Sequence, residues 1–119
     1  MGGCAGWFGS DIDLEGQWNM TYTSNDTTTV MAFNSKNELT SMSIVVGVVT
    51  VTLENVNADV SVDGNNVTIV SNFTGGNMTF NGTYDNDTDT INGTITYNIE
   101  LLLVKFSIDG GEATMTRAN

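Results

Sequence analysis

From Gly16 onward, apolar and polar residues alternate with a period of two, and this pattern argues against a helical fold before anything else is considered. Trp18, Met20 and Tyr22 alternate with Gln17, Asn19, Thr21 and Thr23. Successive side chains of a strand point to opposite faces, so such a segment buries one face and wets the other. The alternation returns in Val67, Ile69, Ser71 and Phe73, in Met78, Phe80, Gly82 and Tyr84, and in Ile91, Gly93, Ile95 and Tyr97. No segment sustains a helical period.

Turn chemistry divides the pattern into strands. A strand over 27–34 runs into Asn34-Ser35-Lys36-Asn37, and a strand over 58–63 reaches Asp63-Gly64-Asn65-Asn66, a hairpin signal. Thr74-Gly75-Gly76 and the Asp85–Asp89 stretch turn the chain again. Within 38–54, Ile44–Val49 is apolar on both faces, and Gly47 marks a bend or bulge that splits it into two strands. Residues 101–108 read as a strand, with Leu102, Val104, Phe106 and Ile108 on one side and Leu101 and Leu103 on the other. Gly110-Gly111 reads as a tight turn into a last strand, Glu112 to Arg117. Short connections and even spacing predict an all-β, antiparallel up-and-down barrel of about eight strands. Gly82 and Gly93 fall on the apolar face, where a missing side chain lets a strand coil tightly, which favours a curled sheet over a flat sandwich. Residues 1–15 read as a flexible leader and 16–119 as a single domain, since 119 residues suit one domain. A domain of that size buries roughly two-thirds of its unfolded surface.

Charge removes several functions. Three basic residues against fourteen acidic ones leave a formal charge of −11. Nucleic-acid binding needs a Lys/Arg footprint to release counterions, and Lys36, Lys105 and Arg117 cannot make one. Direct adsorption to anionic lipid is disfavoured for the same reason. With no His and one Cys, nucleophile–base catalysis and zinc sites lack their usual groups, so no catalytic residue, metal or cofactor is expected. The acidic residues gather in turns, as solvated charge does. In the Asp85–Asp89 loop the oxygens could attract calcium, but the distal Glu and flanking helices of a calcium-binding hand are missing, so a plain polar hairpin loop is the preferred reading. Asn-x-Thr sequons begin at Asn19, Asn25, Asn66, Asn72, Asn77, Asn81, Asn86 and Asn92. They read either as glycan acceptors or, preferably, as ordinary turn and strand chemistry, since residues two apart in a strand share one face.

Two resemblances add to this. Gly16-Gln17-Trp18 opens the first strand and Arg117 lies in the last. This resembles the calycin pattern of lipocalins, fatty-acid-binding proteins and avidins, in which a Gly-x-Trp indole packs beneath a basic residue from the final strand. The resemblance implies a calycin-like barrel closed by the pair Trp18 and Arg117, a guanidinium stacked on an indole gaining cation–π attraction. Ile91-Asn92-Gly93-Thr94 and Ala113-Thr114-Met115-Thr116-Arg117 resemble the closing strands of short bacterial lipocalin-like lipoprotein domains. The chain departs from lipocalins proper in being shorter and in lacking their disulfides and carboxy-terminal helix. At the other end, Met1–Trp7 has no apolar h-region, while Gly2-Gly3-Cys4 resembles the end of a bacterial lipobox. That implies a trimmed precursor with Met1 restored and a lipid on Cys4; the alternative is an incidental Cys in a leader.

The inward set is the remaining candidate for function. Eight-stranded barrels are either just filled by side chains or hold one small ligand. The many large inward residues favour a filled core. If a cavity exists, Tyr22, Phe33, Phe73, Phe80, Tyr84, Tyr97 and Phe106 would line it, the tyrosines acting as polar anchors. Val45, Val48, Leu101 and Leu103 fall on nominally outer faces; they form an exposed apolar patch unless the leader or local bulges cover them. The expectation is therefore a non-catalytic, lipocalin-like, extracytoplasmic protein of the cell envelope. Its expected partner is a small apolar molecule, with membrane contact only through a lipid at Cys4. The alternative is a structural or adhesive surface subunit that self-associates through strand edges or apolar patches.

Overall fold

The alternating segments form nine antiparallel strands. They are β1 (Gly16–Tyr22), β2 (Asn25–Phe33), β3 (Leu39–Val46), β4 (Val49–Thr52), β5 (Asn57–Asp63), β6 (Asn66–Phe73), β7 (Gly76–Asp85), β8 (Thr90–Glu100) and β9 (Lys105–Ala118). The computed structural model describes residues 12–22, 25–102 and 104–118, with the side chains of residues 25 and 26 excepted. Among these there is no helix. Cys4 and Leu103 lie outside the described residues.

The strands lie in one sheet in the order β4-β3-β2-β1-β9-β8-β7-β6-β5. Each strand therefore pairs with its sequence neighbour, except that β4 does not pair with β5, while β1 pairs with β9. The result is a curled half-barrel of nine strands, where a barrel of about eight was expected. Its first and last strands meet, and its break lies in mid-chain. The break has a local cause. β4 is only four residues long. The Leu53 amide still follows the β3–β4 register by donating to the Met42 carbonyl, and at the next residue the Glu54 carbonyl accepts from the Thr74 amide instead. Asn55, at φ 55°, supplies the left-handed step, which Asn tolerates better than most residues. The Thr74–Glu54 bond thus joins the two halves where a strand ladder would otherwise run.

Two parts of the sequence reading need correction. Leu101, Leu102 and Val104 belong to a hairpin connection, with the Leu101 amide donating to the Val104 carbonyl at 2.9 Å, and the strand begins at Lys105. Gly110-Gly111 is no turn. β9 passes straight through it, and the register steps from Ile95↔Gly111 to Tyr97↔Ile108, leaving Asp109 and Gly110 opposite Thr96 alone. That is a bulge with glycine at φ 69°, which adds twist without ending the strand. Gly47 does split its segment, as the first residue of the Gly47-Val48 turn between β3 and β4.

Parity places the core. Met20, Met31, Met42, Met78 and Met115 are all buried, interleaved with Trp18, Ile44, Ile69, Phe80, Ile91 and Ile95. Methionine is flexible and fills irregular space, which suits the interior of an unevenly curled sheet. The packed structure also reaches further toward the amino end than the expected boundary at Gly16. Ile12 and Leu14 are buried, and Asn37 bridges them by accepting from the Leu14 amide at 2.7 Å and donating to the Ile12 carbonyl at 3.1 Å.

Candidate functional site

The register gives the sheet two unlike ends. Gly16, Phe33, Asp85, Thr90 and Ala118 share one end; Tyr22, Val46, Val49, Phe73, Glu100 and Lys105 share the other. The first is plugged. Arg117 pairs with Trp18 across β1 and β9, and its guanidinium carbon stands 4.3 Å from the indole centroid. The same guanidinium meets the Asp89 carboxylate at 3.1 Å and donates to the carbonyls of Glu15 and Asp13. Beneath it, the Trp18 indole N–H donates to the Leu14 carbonyl at 2.9 Å. Asp89 also accepts from the Tyr84 hydroxyl at 2.7 Å. That donor, with Arg117 beside it, holds the Asp89 carboxyl below its ordinary value, and the same bond raises the Tyr84 hydroxyl. Tyr84 is therefore engaged in the plug, apart from the other aromatic candidates. Asp85 accepts from the Asp87 amide, so the Asp85–Asp89 loop also turns its oxygens on its own chain.

Between the ends, four of the seven aromatic candidates meet. The Tyr97 ring makes edge contacts with Tyr22, Phe73 and Phe106, at centroid distances of 5.8, 6.3 and 5.3 Å. Phe33 and Phe80 are buried in the same core cluster. The hydroxyls of Tyr22 and Tyr97 both find Thr29, which hydrogen-bonds Tyr22 and lies 3.1 Å from the Tyr97 oxygen. Thr29 belongs to the run Thr27-Thr28-Thr29, where composition does not say which residue faces inward; its parity with Met31 and Phe33 does.

Burial pushes the Tyr97 hydroxyl up to about 12 from an ordinary 10.0. Tyr22 is raised too, first by burial and then by Tyr97. A raised folded value means that the folded state holds these protons more tightly than the unfolded chain. The associated stability is complete below about pH 10 and is lost as pH rises toward about 12. Denaturant titrations on the alkaline side should show stability falling through that window together with tyrosinate absorbance, and falling less steeply in Tyr97→Phe.

The other end is open and aliphatic. A cavity of about 280 Å³ lies there, lined by Val51, Thr52, Leu53, Glu54, Thr74, Leu101 and Leu102. Three separate pieces of chain build it: β4 with the linker after it, the β6–β7 turn and the β8–β9 turn. Gly75 makes room for this arrangement, because a Cβ there would stand 2.2 Å from Leu101 Cδ2. None of the seven aromatic candidates lines the cavity. Leu102 is 96% exposed, and Val48, at the tip of the neighbouring β3–β4 turn, is completely so. Of the expected outer patch, Val45 and Leu101 are half-buried. Sequence reasoning missed Leu102 as a mouth residue because it read the leucines as strand; their occurrence on both parities was the available signal.

Six of the sequon asparagines face outward. Asn66, Asn72, Asn77, Asn81, Asn86 and Asn92 are exposed, and Thr68–Asn81, Thr83–Asn66 and Thr114–Asn92 form cross-strand hydrogen bonds. No protein-family model, curated protein or solved structure matches this chain.

Proposed function

We propose that this chain is a non-catalytic, lipocalin-like protein of the cell envelope that holds a small apolar molecule at the open end of its sheet. One observation carries the reading: an aliphatic cavity with Leu102 standing 96% exposed at its edge. Leucine left in water costs free energy that a bound apolar group would recover, and small-molecule sites are concave and mostly apolar with few polar groups. The aromatic interior packs against itself, so the ligand belongs at the mouth. Support for the lipocalin-like part comes from the β1–β9 pairing and from the guanidinium stacked over Trp18. A lipid on Cys4 would attach ahead of Ile12, whose amide is fixed to the Gly64 carbonyl in the β5–β6 turn at the plugged end.

Titration with Nile red, a neutral apolar dye, tests this. Wild type should give saturable, one-to-one fluorescence enhancement. Leu102→Asn should weaken it about ten-fold or more, with an unchanged thermal midpoint because the side chain is exposed. Absence of saturable binding, or equal binding by the variant, overturns the reading.

The second reading, a self-associating surface subunit, draws on the unpaired outer edges of β4 and β5 and on Val48. Against it stands the formal charge of −11, which makes copies repel. A concentration-dependent rise in size during gel filtration would favour it over the first.

A further inference from the structure

The mouth is apolar in its walls but not neutral in its charge. Among the described residues, Glu54 is the one ionisable side chain that lines the cavity, and it is exposed, so it stays in contact with water. Thr52 and Thr74 supply hydroxyls beside it, and Thr74 already accepts from the Asn55 amide at 2.8 Å. No Lys or Arg occurs between Lys36 and Lys105. Lys36 lies in the turn at the plugged end and Arg117 is held by Asp89 and Trp18. Lys105 is at the mouth end but stands opposite Glu100 in the β8–β9 ladder, outside the lining of the cavity. An amphiphile whose tail lies on Val51, Leu53, Leu101 and Leu102 therefore meets the Glu54 carboxylate in the lining, while Lys105, the cation at this end, stands outside it.

Resting on the reading of the mouth as an apolar site, we infer that it selects amphiphiles with a cationic head, alkylamines and quaternary ammonium compounds, over fatty acids. The chain as a whole acts in the same direction, since a charge of −11 attracts cations to its surface and repels carboxylates. Opposite charges about 4 Å apart through water attract by about 1 kcal/mol, which is about five-fold in affinity. The expected discrimination is of that size at low salt, and it shrinks as salt screens an exposed pair.

The experiment displaces bound Nile red with decyltrimethylammonium, decanol and decanoate, one tail with three heads, below their micellar concentrations. The cation should bind about five-fold more tightly than decanol, and decanoate more weakly than either. Glu54→Gln should bring the cation to within about two-fold of decanol and leave decanol itself unchanged. Decanoate binding as tightly as the cation, or a cation preference that survives Glu54→Gln, overturns the inference while the apolar mouth stands. Failure of all three to displace the dye, or of the dye to bind, overturns the mouth and the inference with it.

Discussion

A Trp18→Ala variant is expected to lose about 3–5 kcal/mol of folding free energy, the range for removing a large aromatic side chain from a packed core. Trp18 is fully buried and stands in register with Met31 of β2 on one side and Arg117 of β9 on the other. Truncation leaves a void between three strands and deprives the Leu14 carbonyl of its indole donor. It also takes away the surface under the Arg117 guanidinium. Arg117→Ala tests the same plug from above and should cost less, about 1–2 kcal/mol, because that side chain is partly in water. A whole domain of this kind is stable by about 5–15 kcal/mol, so the tryptophan alone decides whether it remains folded on moderate heating. Urea titrations of the two variants check the ranking. A Trp18→Ala loss below about 1 kcal/mol would mean that the β1–β9 junction stands without its plug.

That junction was legible through a short motif at each end of the chain. The pair Trp18 and Arg117 was suggested by a resemblance, Gly16-Gln17-Trp18 in the opening strand and a basic residue in the last, and cation–π attraction gives that pattern its physical sense. Alternation was legible for a physical reason: one face of a strand must be dry, so Trp18, Met20, Tyr22, Phe80 and Tyr97 declare their side. Other features follow from choices that the local pattern leaves equal. Leu101–Val104 suits a doubly buried strand or an apolar turn equally well, and only its pairing partners decide between them. Gly110-Gly111 offers the same freedom to a turn or to a bulge, and the register of β8 selected the bulge. Ile12 and Leu14 are too few to show a period, yet Asn37, distant in sequence, ties both into the core. The break between β4 and β5 belongs to long-range pairing, and with it the mouth, whose lining comes from segments far apart in the chain. A site made of turn tips leaves little trace in alternation.

The other large effect is expected at Gly93, which lies opposite Gly82 in the middle of the β7–β8 pair. A Cβ on Gly93 would stand 2.0 Å from the Asn81 carbonyl oxygen and 2.5 Å from Gly82 Cα. Both obstacles are backbone, so no rotamer change relieves them, and β7 and β8 must separate or bend. Overpacking ordinarily costs about 1–3 kcal/mol. Gly93→Ala belongs at the upper end of that range, even after the fraction of a kcal/mol that alanine recovers by reducing backbone entropy. Gly82→Ala separates geometry from composition. Its Cβ meets the Phe80 ring and an Ile91 methyl, at 2.6 and 2.8 Å, and side chains can turn aside where a carbonyl cannot. The glycine pair therefore has two functions: Gly82 leaves space for the core, and Gly93 lets the sheet backbone fold over on itself. Equal losses for Gly93→Ala and Gly82→Ala in thermal melts would refute that division. A much larger loss at Gly93, accompanied by earlier hydrogen exchange of the β7 and β8 amides, would show that curvature there depends on the missing side chain.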